Sequence, residues 1–129
     1  MAGDKLRVLY SEDDMDSREI VSLVLANEGF ETVCPDTSQE VLRIAKEEKF
    51  DVYLLDTRTP GMSGVELCKK IRQYDAHTPI IFYSAAAFQS DQEEAFDAGA
   101  HAYITKPATL EEVVETIRSA ISSCRLHPA

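Results

Sequence analysis

The sequence predicts an α/β fold in which a parallel sheet is covered by helices on both faces. Apolar runs of strand length alternate five times with amphipathic stretches of helix length across the 129 residues. Only short turn-like segments separate them, which is typical of crossover connections between parallel strands. A hydrophobic content of 44% and a charged content of 28% fit one globular domain. We therefore expect a single domain over residues 1–129, with its core at about 6–123 and no output domain in this chain.

The first two strand–helix units lie before residue 50. Residues 6–10 (LRVLY) predict the first strand, and residues 16–28 predict a helix that Gly29 ends. Residues 30–34 predict the second strand, and residues 37–40 (TSQE) have the capping-box spacing that opens a second helix. The side chains predicted to form the apolar helix faces are Ile20, Leu23 and Val24 in the first helix and Val41, Leu42, Ile44 and Ala45 in the second.

The third unit begins with residues 52–55 (VYLL). Four consecutive apolar residues are typical of a strand buried on both faces. Residues 63–66 (SGVE) again have capping-box spacing, and Leu67, Cys68 and Ile71 predict the buried stripe of the helix that follows.

Two more units complete the pattern. Residues 80–84 predict the fourth strand, and residues 90–93 (SDQE) begin a short helix that Gly99 ends. Residues 101–105 predict the fifth strand, and residues 109–112 (TLEE) cap the last helix. The apolar stripe of this last helix is predicted to consist of Leu110, Val113, Val114, Ile117 and Ile121.

Four of the five predicted strands end at residues that can take part in chemistry. Glu12 and Asp13 follow the first strand, Asp56 follows the third, Ser84 ends the fourth, and Lys106 follows the fifth. Because parallel strands present their carboxyl ends at one edge of the sheet, where ligands bind in open α/β folds, we expect these side chains to converge. Taken singly, each has an ordinary explanation, since a carboxylate caps turns or helices, a strand-end hydroxyl is satisfied locally, and a lysine is usually solvated.

The chemistry of this set indicates a cation and a phosphoryl group. Three carboxylates repel one another, so at least one pKa would rise without a counter-ion. Mg²⁺ (or Mn²⁺) suits such oxygen ligands and needs few of them from the protein. A phosphoryl group would be held between the metal and the Lys106 ammonium, with the Ser84 hydroxyl donating to one oxygen. A carboxylate such as Asp56 can also accept the phosphoryl group covalently.

With these motifs the chain resembles a response-regulator receiver domain of two-component signalling. The resemblance covers Leu6 to Ser123 and implies a flavodoxin-like (βα)5 doubly wound sandwich whose parallel strands have the order 2-1-3-4-5. The motifs that carry it are Glu12 with Asp13, Asp56 followed by Pro60 and Gly64, Ser84 with Ala85, and residues 103–107 (YITKP).

The resemblance implies a phosphoacceptor at Asp56, which would take a phosphoryl group from a sensor histidine kinase or a phosphotransfer protein. Asp13 and Asp56 would ligate Mg²⁺ together with the backbone carbonyl of Arg58. Glu12 would act through a metal-bound water.

The resemblance also implies a conformational switch. Lys106 would pair with the phosphoryl oxygens, Ser84 would move to hydrogen-bond them, and Tyr103 would turn inward behind Ser84. The surface of the fourth helix, fifth strand and fifth helix would then change toward a downstream protein or an output domain outside this chain. The resemblance leaves open a homodimer driven by phosphorylation.

Three positions depart from the commonest family pattern without removing a chemical role. Glu12 replaces an Asp, Ser84 replaces a Thr, and Thr59 stands where a Met often precedes the Pro. Arg58 and Ala86 resemble the variable positions that tune the lifetime of the phosphoryl group. For Arg58 an ordinary surface charge paired with a nearby acid is the slightly preferred explanation. For Tyr103 the resemblance favours the switch role over that of a half-buried strand aromatic.

Two other functions remain open at this point. One is an interaction module that keeps the fold but does not use phosphorylation. The other is an aspartyl-phosphate hydrolase, which this sequence favours less because Arg58 stands where such an enzyme needs a second Asp. We expect a signalling phosphoacceptor that catalyses only its own phosphorylation and dephosphorylation.

Composition limits the partners and the compartment. The net charge of −10 argues against direct nucleic-acid binding. No apolar stretch approaches the length of a membrane span. The scattered cysteines Cys34, Cys68 and Cys124 are typical of reduced thiols in a cytoplasmic protein, with Cys34 and Cys68 in the core. The three histidines, His77, His101 and His127, have no spacing that suggests a shared site.

Overall fold

Strands and helices alternate along the chain in the predicted order. The structure, a computed structural model, describes residues 5–59 and 61–126. In chain order its elements are β1 (Leu6–Ser11), α1 (Met15–Asn27), β2 (Phe30–Val33), α2 (Ser38–Glu47), β3 (Val52–Leu55), α3 (Gly64–Arg72), β4 (Ile80–Ser84), α4 (Gln89–Ala98), β5 (Ala102–Thr105) and α5 (Leu110–Leu126).

The strands form one parallel sheet in the order β2-β1-β3-β4-β5, which confirms the predicted flavodoxin-like topology. Register aligns the strand ends that matter for function. Ser11 of β1 pairs with Leu55 of β3, and Ser84 of β4 pairs with Thr105 of β5. The residues that directly follow β1, β3 and β5 therefore emerge at the same edge.

Each face of the sheet carries its own apolar core, because alternate strand residues point to opposite faces. On one face, Val8 and Tyr10 of β1 pack with α1 and α5. On the other, Leu9 of β1 and Leu55 of β3 pack with α2, α3 and α4. The central strands are buried on both sides, as the continuous apolar run at 52–55 predicts.

The buried face of α1 differs from the prediction. Val21 and Leu25 are buried against the sheet, whereas Ile20 and Leu23 are 54% and 64% exposed. The prediction was wrong because apolar residues occur around most of this helix, so periodicity alone does not select the face that packs. Val24 is partly buried at the edge of the core, as expected.

The predicted helix caps are present in α2, α3 and α5. The hydroxyls of Thr37, Ser63 and Thr109 each accept a hydrogen bond from a backbone N–H in the first turn. In α4 the helix begins one residue before the predicted start, and Asp91 accepts a hydrogen bond from the N–H of Phe88. Gly99 ends α4 with φ +116°, a conformation that favours glycine.

The cysteines are free thiols, with Cys68 fully buried and Cys34 half-buried against the core. Among the described residues, no helix combines the length and the apolar character that crossing a bilayer requires.

Candidate functional site

Several of the predicted site residues line a cleft at the carboxyl edge of the sheet. The cleft has a volume of about 870 Å³ and lies above the ends of β1, β3 and β4. Its lining includes Asp13, Asp56, Arg58, Ser84 and Ala86. Of the strand-end residues expected to converge, Asp13, Asp56 and Ser84 line this cleft.

Lys106 links the Asp56 carboxylate, which lines this cleft, to the buried carboxylate of Glu12. Its Nζ lies 2.6 Å from Oε1 of Glu12 and 3.3 Å from Oδ2 of Asp56. The Glu12 side chain is only 2% exposed, while those of Asp56 and Lys106 are 13% and 22% exposed. The ammonium also lies 4.8 Å above the ring of Tyr83, a cation–π distance. Two carboxylates and an aromatic face thus hold Lys106 in a mostly buried position.

Burial is the largest single influence on the pKa values of Glu12 and Lys106. Burial raises the pKa of Glu12, the Lys106 hydrogen bond opposes that rise, and the negative charge of Asp56 adds to it. Burial alone would lower the pKa of Lys106, but the hydrogen bond to Glu12 and the charges of Asp56 and Glu12 raise it. The sequence predicted that a carboxylate pKa would rise through mutual repulsion, and the larger cause at Glu12 is desolvation.

Asp56 is held by the backbone that follows it. Its Oδ1 accepts a hydrogen bond from the N–H of Arg58 at 3.2 Å, in the turn directly after β3. Its own N–H donates to the carbonyl of Ser11 on β1 at 3.1 Å. The carboxylate therefore emerges from the end of the sheet with one oxygen toward the turn and the other toward Lys106.

Ser84 is connected to Asp56 through Thr57. The hydroxyls of Ser84 and Thr57 are 2.7 Å apart, and the Thr57 hydroxyl lies 3.5 Å from Oδ1 of Asp56. Ser84 is 1% exposed and also accepts a hydrogen bond from the N–H of Ala86 at 3.1 Å. The switch hydroxyl predicted from the sequence is thus already engaged with protein groups in this structure.

Tyr103 packs behind this hydroxyl. Its ring stacks on Phe82 with centroids 5.8 Å apart, and its hydroxyl donates to the carbonyl of Ala86 at 2.5 Å. The side chain is half-buried, and burial raises the pKa of its phenol. Tyr103 and Ser84 therefore both contact Ala86, one through its carbonyl and the other through its N–H.

The donor set fits a hard divalent cation at the outer part of the cleft. Asp13 is exposed, and among the described residues no group donates a hydrogen bond to its carboxylate. Asp56 contributes a second carboxylate to the same cleft. No cluster of three His, Cys, Asp or Glu side chains spaced for a metal occurs in residues 5–59 and 61–126. Mg²⁺ remains compatible, because it keeps several waters and takes few protein ligands.

Some predicted residues are placed differently from the expectation. Glu12 lies apart from the cleft lining and is engaged by Lys106, Tyr10 and the N–H of Asp14. The Arg58 side chain is exposed, and no acid pairs with it within the part of the chain that the structure describes. Pro60 and His127 lie outside the described residues.

Sequence reasoning missed Tyr10, Thr57 and Tyr83. Tyr10 is fully buried, and its hydroxyl donates to Oε1 of Glu12 at 3.3 Å. Tyr10 lies on β1 two residues before Glu12, which directly follows the strand, and this period-2 spacing was a usable signal that the two side chains lie on one face of the sheet. Thr57 gives no such signal, because its contact with Ser84 depends on the turn after β3.

Comparisons of sequence match this chain to a known family. A family model described as the response regulator receiver domain matches residues 8–118. The chain is 33% identical over 118 residues to the uncharacterized transcriptional regulatory protein YkoG of Bacillus subtilis, covering 92% of this chain and 52% of that protein. It is 30% identical over 122 residues to the cell cycle transcriptional regulator CtrA of Caulobacter vibrioides, covering 95% and 53%. The chain thus spans about half the length of these curated relatives.

Comparisons of structure give the same family. A receiver domain protein from Methanospirillum hungatei superposes with a TM-score of 0.91 at 27% identity, covering 96% of this chain and 99% of that chain. The receiver domain of a sensor histidine kinase from Pseudomonas aeruginosa superposes with a TM-score of 0.85 at 25% identity, covering 92% and 99%. That structure holds a magnesium ion coordinated in its active site cleft.

Proposed function

The chain belongs to the response regulator receiver domain family of two-component systems, and from this premise we propose that Asp56 is its phosphoacceptor. The observation that carries the proposal is the position of Lys106, whose ammonium lies 3.3 Å from the carboxylate of Asp56, a residue that lines an open cleft. A cation beside a solvent-accessible carboxylate favours the approach of a phosphoryl group, which carries negative charge.

In the proposed reaction, a carboxylate oxygen of Asp56 attacks the phosphorus of a phosphohistidine on a sensor kinase or phosphotransfer protein. The P–N bond breaks and its electron pair stays on the imidazole nitrogen, while the new P–O bond forms on Asp56. Lys106 holds the phosphoryl oxygens, and its mostly buried position makes that interaction stronger than in water. In this reaction the side chains of the site position the reacting groups and supply charge, and they carry out no acid–base chemistry.

We propose that Asp13, Asp56 and the carbonyl of Arg58 hold Mg²⁺. The metal supplies positive charge that offsets the carboxylates and the incoming phosphoryl oxygens. Glu12 acts on this site indirectly, because it is buried and serves as the counter-ion of Lys106. In a water-mediated role, Oε2 of Glu12, which accepts only from the N–H of Asp14 among the described residues, is the oxygen with capacity for a further hydrogen bond.

The same contacts support a switch. When the Ser84 hydroxyl turns to a phosphoryl oxygen, it leaves Thr57, to which it is bonded at 2.7 Å. That movement alters the segment around Ala86, whose carbonyl holds Tyr103. Because Tyr103 lies on β5, the change reaches the surface of α4, β5 and α5, where we place the contact with a downstream protein or an output domain.

We place the contact with the phosphoryl donor on α1. Met15, Ile20 and Leu23 are each more than half exposed, and α1 begins directly after Asp13 and Asp14. An exposed apolar face beside a reactive carboxylate can seat an apolar helix of a donor protein while a histidine reaches Asp56.

The test is treatment with acetyl phosphate and Mg²⁺ followed by intact mass measurement. We expect one phosphoryl adduct, which Asp56→Asn abolishes and which chelation of Mg²⁺ before the reaction prevents. Asp14→Asn is the matched control, because Asn can still cap α1 and the site retains Asp13.

Two results would contradict the proposal. One is a wild-type chain that stays unmodified under conditions that label a known receiver, which favours a phosphorylation-independent interaction module. The other is an adduct that survives in Asp56→Asn.

A further inference from the structure

Tyr10 is a polar group in the middle of an apolar core, and its hydroxyl has a specific partner. The residue is completely buried, between the sheet and the layer of α1 and α5. Its hydroxyl donates to Oε1 of Glu12 at 3.3 Å. A buried phenol needs such a partner, and the one it finds is the counter-ion of Lys106.

Tyr10 and Lys106 share one oxygen of Glu12. Lys106 donates to Oε1 at 2.6 Å, and Tyr10 donates to the same atom. The other oxygen, Oε2, accepts only from the N–H of Asp14, at 3.3 Å, among the described residues. Two donors on one acceptor weaken each other, so the Tyr10 bond strengthens when Lys106 moves away.

We propose that Tyr10 is a positioning residue that stabilises the charge of Glu12 when Lys106 leaves it for a phosphoryl group. This inference rests on the proposed function of Asp56. The Glu12 side chain is 2% exposed, so water cannot easily replace the lost ammonium. The phenol of Tyr10 is the donor already in place to do so. Tyr10 therefore lowers the cost of releasing Lys106.

The inference is tested with beryllofluoride, a phosphoryl analogue, in the presence of Mg²⁺. Tyr10→Phe removes one buried oxygen and keeps the ring. We expect it to weaken beryllofluoride binding by roughly threefold to tenfold, less than the full contribution of a hydrogen bond to a charged group, because the bond already exists before Lys106 leaves Glu12. Isothermal titration calorimetry gives the affinity.

Tyr53→Phe is the matched control. Tyr53 is also buried on a central strand, and its hydroxyl donates to Asp75 at 3.1 Å, away from the cleft. We expect Tyr53→Phe to lose a comparable amount of stability and to bind beryllofluoride like the wild type. The side-chain ¹⁵N resonance of Lys106, recorded without metal, should shift in Tyr10→Phe and not in Tyr53→Phe.

A double-mutant cycle with Glu12→Gln separates positioning from packing. If Tyr10 acts through the charge of Glu12, Tyr10→Phe should have little effect on binding in the Glu12→Gln background. Undiminished binding in Tyr10→Phe, or an equal loss in both backgrounds, overturns the inference. If the wild type itself binds no beryllofluoride, the proposed function fails first, and the inference fails with it.

Discussion

The ammonium of Lys106 lies 2.6 Å from Glu12, closer than the 3.3 Å that separates it from Asp56. In this structure Lys106 is therefore primarily the counter-ion of a buried carboxylate. Its proposed role toward a phosphoryl group competes with that pairing. The Lys106 ammonium is better described as a cation shared between two carboxylates than as a free cation available to a ligand.

Replacement of Lys106 by Met should destabilise the chain through Glu12. Removing one partner of a fully buried ion pair typically costs about 3–5 kcal/mol. Lys106 is 22% exposed, so we expect about 2 kcal/mol, measured by urea unfolding at pH 7. Lys69→Met, at an exposed position on α3, should change stability by less than about 0.5 kcal/mol. The double variant Lys106→Met with Glu12→Gln should be more stable than Lys106→Met alone.

This loss should depend on pH with a defined sign. The pKa of Glu12 is raised in the folded chain. As pH rises from the ordinary Glu value toward that raised value, the unfolded chain loses its proton first, and the free energy of unfolding falls. Without Lys106 the fall should be larger. The stability difference between wild type and Lys106→Met should therefore grow from about pH 4.5 to pH 7. A difference that stays constant over this range would show that the variant acts through packing alone.

Much of the fold was predictable because its signals are local. Capping boxes at Thr37 and Ser63 and the apolar run at 52–55 each specify an element from a few neighbouring residues. The buried face of α1 was not predictable in this way. Ile20 and Leu23 are apolar but exposed, and only the packing of α1 against the sheet selects Val21 and Leu25 instead.

The candidate site likewise has features that the sequence predicts and features that it does not. Asp56 and Lys106 were found because strand ends of a parallel sheet share an edge. The contacts around these two residues were not predicted from the sequence. The hydrogen bond between Thr57 and Ser84 and the cation–π contact between Lys106 and Tyr83 depend on side-chain directions in the folded chain.

Thr57→Val should favour the phosphorylated form. Its hydroxyl is bonded to Ser84 at 2.7 Å, and the proposed switch requires Ser84 to leave that partner. Loss of one neutral hydrogen bond from the resting state is worth about 1 kcal/mol, or roughly fivefold in beryllofluoride affinity. The affinity is measured by calorimetry in Mg²⁺.

Thr59→Val is the control for this change. Thr59 lies in the same loop, but its hydroxyl bonds to Ser38 at 2.6 Å and to the carbonyl of Met62 at 2.9 Å. We expect Thr59→Val to reduce stability and to leave the affinity for beryllofluoride near that of the wild type. Weaker binding in Thr57→Val would mean that Thr57 orients Asp56 rather than restraining Ser84.

Gly64→Ala should disturb Asp56 without touching its side chain. Gly64 opens α3, and a Cβ atom there would overlap the carbonyl oxygen of Asp56 and lie 2.9 Å from its carbonyl carbon. On the other side it would meet Phe82 at 3.0 Å. The N–H of Gly64 also donates to the carbonyl of Thr57 at 3.0 Å, so the start of α3 cannot move away freely.

We expect Gly64→Ala to lower the free energy of unfolding by about 1–3 kcal/mol, the usual cost of overpacking, even though Ala favours helix over Gly by about 1 kcal/mol. Labelling by acetyl phosphate should fall as well, because the carbonyl that is displaced belongs to Asp56, the proposed phosphoacceptor. Gly29→Ala provides the comparison, since nothing lies within 4 Å of its Cβ position and only its φ of +92° is strained. That variant should lose about 1–2 kcal/mol of stability from backbone strain and keep full labelling. A Gly64→Ala chain that is as stable and as readily labelled as the wild type would show that the β3–α3 turn can relax without moving Asp56.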